Sequence, residues 1–490
     1  MAEPRGGGPY DRPPGADRGC GRRAGCSGIR AAVGRGAGGW PRPGPDTCGG
    51  EASRNPYVDL LRVAAIGVVV FGHWLAISIT YSGGRLDGRN VLGPLPWTQW
   101  LTLVFQVMPV FFVVGGFANA ASWASNGERG ERWGAWLYGR ALRLLVPTTV
   151  YVVVAVAIVV ACRVAGVPSA VLERAGWAVA LHLWFLPVYL GLVGVTPALA
   201  GAHRRWGLRL PAVLIFGAVA ANTTFLLFHA PLLAWSDHLL AWGAVYQLGF
   251  AWHDGTLTRT KLRPLALAAA GGTALVGLVW LGPFPVSMVG VPGAPIKNSS
   301  PPSVAFLAYA IGQVGLLLAA EPALTRWLRR PRLRRAVCRA NRMVMTLYLW
   351  HMAPVILAAA TLYPTGVLSP APIGSPTWLK QRLIWVVALT ILFIPVAVGL
   401  RSAECLMAAH RTADGGPLRL EACPLLAAGL GSAGFAVAGI AAHGFFPGGR
   451  LPAAVLAAYT AGVVLVIVAG AVRAHPGAQP PVTRTRGDAR

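Results

Sequence analysis

The chain has 490 residues, of which 55% are hydrophobic and only 12% charged, about half the charged share of an ordinary soluble domain. Apolar stretches long enough to cross a bilayer recur along its length, which excludes a soluble globular enzyme and points to an all-α polytopic membrane protein. The net charge of +26 does not make it a nucleic-acid binder, because 34 of the 43 lysines and arginines fall in alternate inter-span segments and 8 in the others, the positive-inside signature.

Residues 1–53 are rich in Gly, Pro and Arg and have almost no aliphatic run. They are expected to form a disordered basic cytoplasmic tail. No signal-peptide core precedes the first span, which therefore reads as a retained signal-anchor. Twelve spans are expected, near 59–80, 97–120, 144–162, 176–199, 210–229, 238–253, 265–282, 303–320, 343–362, 383–400, 425–443 and 452–472. An even count with the arginine-rich side inward places both termini in the cytoplasm.

The first span carries Asp59, Arg62 and His73. His73 follows Arg62 by eleven positions, so the two share one helix face about 16 Å apart. An ionisable side chain at bilayer depth costs about 2.5–3.5 kcal/mol even on the lenient insertion scale, and such residues face a protein interior and do chemistry there. In the second span, Gly115 and Gly116 follow an FFVV run and permit close helix approach. Arg140 and Arg143 come next, spaced i, i+3 on one side of a helix start. Their planar forks suit phosphate, although ordinary positive-inside flanking has the same spacing.

Trp184 follows His182 in an LWFL run, where a tryptophan is commonly an interfacial anchor. His351 ends an LYLW run inside the ninth span, about 12 Å beyond the basic loop. A lone intramembrane histidine is usually a packing residue, but two entering from the same side weaken that view. The last two spans are poor in polar residues and read as an accessory hairpin. The seven cysteines show no metal-site spacing, so no metal is expected and the thiols read as incidental.

The ordered set R-x10-H, FFVVGGF, R-x-x-R, LWFL and LYLWH resembles the membrane acyltransferase 3 family. The likeness covers about residues 54–402. The family pattern commonly has Ser where this chain has Gly115, and residues 403–474 lie beyond the usual ten-helix core, with a short tail at 475–490. The resemblance implies an O-acyltransferase that moves an acyl group, acetyl above all, from cytoplasmic acyl-CoA to a carbohydrate or other envelope or secreted acceptor. It implies residence in the cell membrane as a multi-pass protein, with no bound cofactor and the lipid bilayer as its surroundings. His73 and His351 are then the catalytic residues, with Asp59, Arg62, Arg140, Arg143 and Trp184 binding substrate. Direct transfer and an acyl-histidine relay both remain open. The rival class is a multi-pass transporter or lipid flippase with an Arg/His relay, and a third is a non-catalytic scaffold.

Overall fold

A computed structural model describes residues 55–83, 85–128, 133–228, 231–409 and 421–472. The expected tails at 1–53 and 475–490 lie outside the described residues. In chain order the first elements are α1 (Pro56–Ala76), a hairpin of β1 (Ile77–Ser82) and β2 (Arg85–Asn90), α2 (Thr102–Phe105), α3 (Met108–Glu128) and α4 (Trp133–Val164). There follow α5 (Ser169–Ala180), α6 (Phe185–Gly194), α7 (Thr196–Trp206), α8 (Arg209–Phe228), α9 (Pro231–His253) and α10 (Leu262–Trp280). The last are α11 (Val304–Trp327), α12 (Pro331–Asn341), α13 (Val344–Trp350), α14 (Ala353–Leu362), α15 (Pro376–Ala409), α16 (Ala422–His443) and α17 (Ala453–Ala471).

Among the described residues nine helical segments are long and apolar enough to cross a membrane, or eleven if two bent pairs each count as one span. The expected 238–253 span falls within α9, which is not among them. Its environment accounts for that. Trp242, Val245, Tyr246, Gln247 and Ala251 on α9 are at most 1% exposed, and α3, α6, α7, α8 and α11 surround the helix. A helix enclosed by protein need not be apolar toward lipid.

The expected first span also runs differently at its end. Asn55 caps α1 by accepting a hydrogen bond from the Tyr57 N–H at 2.9 Å, and Pro56 opens the helix without needing a donor. The helix stops at Ala76 instead of continuing to residue 80. The following Ile-Ser-Ile-Thr is rich in β-branched residues, which favour a strand, and Gly83 takes φ +55° in the turn. The hairpin is held to α15 by the Trp378 indole donating to Ser78 Oγ at 2.9 Å and by Arg382 Nη1 donating to the Ile77 carbonyl at 2.6 Å.

Proline breaks other expected spans. Pro354 removes the donor that would bond to Trp350 and leaves a 44° bend between α13 and α14. Pro187 has no N–H for Leu183, and the chain tightens into a 3₁₀ turn over Leu181–Trp184.

Two apolar cores result, and α1 serves both. Tyr57, Val58, Leu61 and Ala65 pack with α3, α9 and α11, while Ile66, Val70 and Trp74 pack with α4, the α13–α15 region and α16. The α3–α9 crossing depends on glycine. A Cβ on Gly116 would overlap the Tyr246 carbonyl, and one on Gly249 would overlap that of Val113. Bare backbones meet there as they do in close-packed membrane helices. Of the cysteines, Cys162 and Cys423 are free, whereas Cys338 is disulfide-bonded, contrary to the expectation of incidental thiols.

Candidate functional site

His73 lies on the last turn of α1 and His351 in the break between α13 and α14. His73 Nδ1 and His351 Nε2 are 2.7 Å apart, and the rings stack with centroids 5.0 Å apart. His351 is fully buried, and its Nδ1 lies 2.8 Å from the Tyr348 carbonyl. That carbonyl can only accept, so His351 Nδ1 carries a proton. With both rings neutral, His351 Nε2 is the acceptor and His73 Nδ1 the donor. The assignment leaves the lone pair of His73 on Nε2.

The surrounding shell fixes this pair. The Trp74 indole donates to the His351 carbonyl at 2.7 Å, and the Trp385 indole donates to the Trp74 carbonyl at 3.2 Å. These bonds tie the end of α1 to the α13–α14 break and to α15. His351 itself continues the path of α13, its N–H donating to the Leu347 carbonyl at 3.2 Å, and the chain bends just beyond it.

A third histidine joins them. His182, in the 3₁₀ turn, is 5% exposed, and its ring stands edge-on to that of His351 with centroids 4.8 Å apart. Neither ring nitrogen has a well-formed hydrogen bond, although the Leu349 backbone lies close to the ring. The Tyr348 hydroxyl donates to the His182 carbonyl at 2.8 Å. Sequence reasoning passed over His182 as a flank of the LWFL run. The signal was present, since it is another imidazole set in an apolar stretch two residues before Trp184.

The arginines gather at the other end of α1. Arg62 Nη1 donates to Asp59 Oδ1 at 3.3 Å, and Asn341 at the end of α12 donates to the same oxygen at 2.9 Å. Asp59 is buried, so these contacts supply the partners a carboxylate requires there. Arg140 is half-buried, lies over the Trp136 ring at 5.5 Å, donates to the Ala118 carbonyl at 3.4 Å and feels the charges of Arg143 and Arg62. Arg143 is exposed. Because α4 begins at Trp133, both arginines sit within the helix, on the turns just before its charge-free stretch, rather than at its start.

Between the two ends runs a line of side chains. Beside Arg140, Asn119 donates to the Tyr189 hydroxyl at 3.1 Å while its own Oδ1 has no partner. Tyr189 stacks on Phe185 at 5.3 Å, Phe185 meets Tyr348 at 5.8 Å, and Tyr348 meets His182 at 5.2 Å. Gly115 makes room for Tyr189, because a Cβ there would lie 2.5 Å from its ring. Trp184 is not part of this line. It is partly buried against Trp242, with centroids 5.9 Å apart.

The arrangement therefore has a cationic end, a polar and aromatic middle and an imidazole end, with side chains contributed by α1, α3, α4, α6, α13 and the two turns that carry His182 and His351. Among the described residues no group of three His, Cys, Asp or Glu side chains is placed to hold a metal ion. A protein-family model described as an acyltransferase domain matches residues 55–402, which contain every side chain of this line. No curated protein and no solved structure matches the chain.

Proposed function

The chain belongs to the acyltransferase 3 family, and on that premise we propose that it is a membrane O-acyltransferase taking an acyl group, acetyl above all, from cytoplasmic acyl-CoA. The acceptor is a hydroxyl of a carbohydrate or another envelope or secreted molecule. The protein sits in the cell membrane with both termini in the cytoplasm, so that the arginine-rich end of α1 faces the donor. Residues 54–402 form the catalytic core.

The observation that carries this reading is the hydrogen-bonded His73–His351 pair at one end of α1 with Arg62 three turns away on the same face. Arg62, Arg140 and Arg143 supply the planar cations that bind phosphate. The roughly 16 Å from Arg62 to His73 lets a slender arm carry a thioester inward while its phosphates stay at the arginines.

His73 Nε2 takes the proton of the acceptor hydroxyl as that oxygen attacks the thioester carbonyl. His351 holds the His73 ring by accepting from Nδ1–H, and it disperses the positive charge His73 gains. The tetrahedral intermediate collapses with cleavage of the carbon–sulfur bond. The departing CoA thiolate takes the proton back from His73, and ester and free thiol result.

The test is acyl transfer by purified protein in nanodiscs, using radiolabelled acetyl-CoA and a mixed envelope-glycan extract, with wild type beside His73→Ala. Label should move to glycan with the wild type, and the variant should be about 10²- to 10⁴-fold slower. Equal turnover by the two would remove His73 as the base. Failure of the wild type both to transfer label and to bind CoA would sink the reading.

A further inference from the structure

The family match stops at residue 402, yet α16 and α17 are built into the core. α16 packs against α4, α5, α6 and the 181–184 turn, and α17 packs against α4. Leu426, Ala433, Val437 and Ile440 recur at helical spacing on α16 and are fully buried. On α17, a Cβ on Gly470 would overlap the Tyr138 hydroxyl, and the Tyr459 hydroxyl lies 2.9 Å from Thr149 Oγ1. The expected accessory hairpin is thus docked along the length of the helix that bears Arg140 and Arg143.

Its tip comes within one ring of the histidines. Gly444 takes φ +84°, and a Cβ there would lie 2.8 Å from the backbone of Trp177. Only glycine allows this turn to press so closely on α5. The Phe445 N–H donates to the Gly176 carbonyl at 3.4 Å, and the Gly448 N–H donates to Glu173 at 3.1 Å. Phe445 is thereby driven wholly inside and meets the Tyr151 ring at 6.1 Å. Tyr151 stands edge-on to both Trp350 at 4.8 Å and His182 at 5.8 Å, and its hydroxyl donates to the Val179 carbonyl just ahead of the 181–184 turn.

We propose that the C-terminal hairpin positions the histidine cluster, with Phe445 acting through Tyr151 to hold His182 and Trp350, and through them His351 and His73. Phe445 is a positioning residue. Interiors of this density pass a displaced ring on to its neighbours rather than absorbing it, and a misplacement of about 1 Å at a reacting group costs on the order of 100-fold in rate. The inference rests on the acyltransferase reading for its kinetic readout, and one arm of the test does not need turnover.

Phe445→Ala, Phe445→Leu and a control, Phe435→Ala, are purified in nanodiscs beside wild type. Phe435 is 80% exposed on α16 and touches nothing in this chain of rings. With radiolabelled acetyl-CoA, Phe445→Ala is expected to lower kcat about 10- to 100-fold with the KM for acetyl-CoA within about twofold, Phe445→Leu to recover part of the loss, and the control to match wild type. Unchanged kcat in a monodisperse Phe445 variant, or a loss confined to KM, overturns the inference while wild-type turnover upholds the acyltransferase reading. Hydrogen exchange is the arm independent of turnover. Phe445→Leu should speed exchange at 180–184 and leave α10 and α11 unchanged, and unaltered exchange at 180–184 would equally overturn the proposal.

Discussion

The Tyr348 carbonyl decides how the histidine pair works. Because it can only accept, it fixes the proton on His351 Nδ1, and His351 Nε2 then fixes the proton on His73 Nδ1. His351→Ala strands the His73 N–H, and leaving a buried donor unmet costs about 1–3 kcal/mol, or roughly 10- to 100-fold in kcat. His351→Gln should restore much of that loss, since an amide offers one donor for the Tyr348 carbonyl and one acceptor for His73. Equal turnover by the Ala and Gln variants would argue against the assigned tautomers. At the other end, Arg140→Ala should raise the KM for acetyl-CoA by about 10-fold or more, as expected for a charged hydrogen bond to phosphate. Arg140→Lys should recover little, because a lysine neither stacks on Trp136 nor offers a planar fork. A KM restored to the wild-type value by lysine would reduce Arg140 to a simple point charge.

Elements carry the site through their breaks and close crossings, and these were the least legible part of the sequence. The apolar runs announced the spans, and the eleven-residue interval from Arg62 to His73 announced a shared face. The prolines at 187 and 354 were equally visible, but their effect depends on what packs around each bend. That is why the 3₁₀ turn carrying His182 and the kink carrying His351 emerge only in three dimensions. The hairpin after Ala76 was hidden because the charge-free run that begins in the helix continues through β1 to residue 84. The glycine pair read as generic packing, whereas Gly116 turns out to face a backbone carbonyl of α9. Gly116→Ala should therefore destabilise by about 1–3 kcal/mol through overpacking, seen as a lower thermal midpoint in detergent. An unchanged midpoint would mean the crossing relaxes freely. Beyond the spans, Asp254 clamps α7 to the end of α9 through His203 Nε2 at 3.0 Å. Burial raises its carboxyl pKa, but hydrogen bonds from Thr256 and His203 outweigh that effect and hold it below the usual range. A depressed folded value stabilises above the unfolded pKa of about 3.9 and is lost as pH falls through the folded one. The Asp254→Asn variant should thus melt below wild type at neutral pH, with the gap closing under acid. A gap that persists unchanged at low pH would assign the effect to packing instead.

At the scale of the whole molecule, α1 is a member of both cores, with its first half packed among α3, α9 and α11 and its second among α4, the α13–α15 region and α16. Sharing one helix joins the arginine end to the histidine end, as the proposed transfer requires of a donor bound at the first and reacting at the second. The proposed transfer also needs those ends to lie on opposite membrane sides, with α12 and its arginines inward and the β-hairpin outward. Positive-inside bias predicts that orientation, since eight arginines crowd into residues 326–342 while only two flank the hairpin turn. Single cysteines in a cysteine-free background test it directly. Asp87→Cys on the exposed hairpin should react with an impermeant maleimide on intact cells, and Arg334→Cys on the exposed face of α12 should react only after permeabilisation. The opposite pattern would put the arginine cluster outside, away from cytoplasmic acyl-CoA. Transfer from that donor would then be ruled out even though the fold and its histidine pair were unchanged.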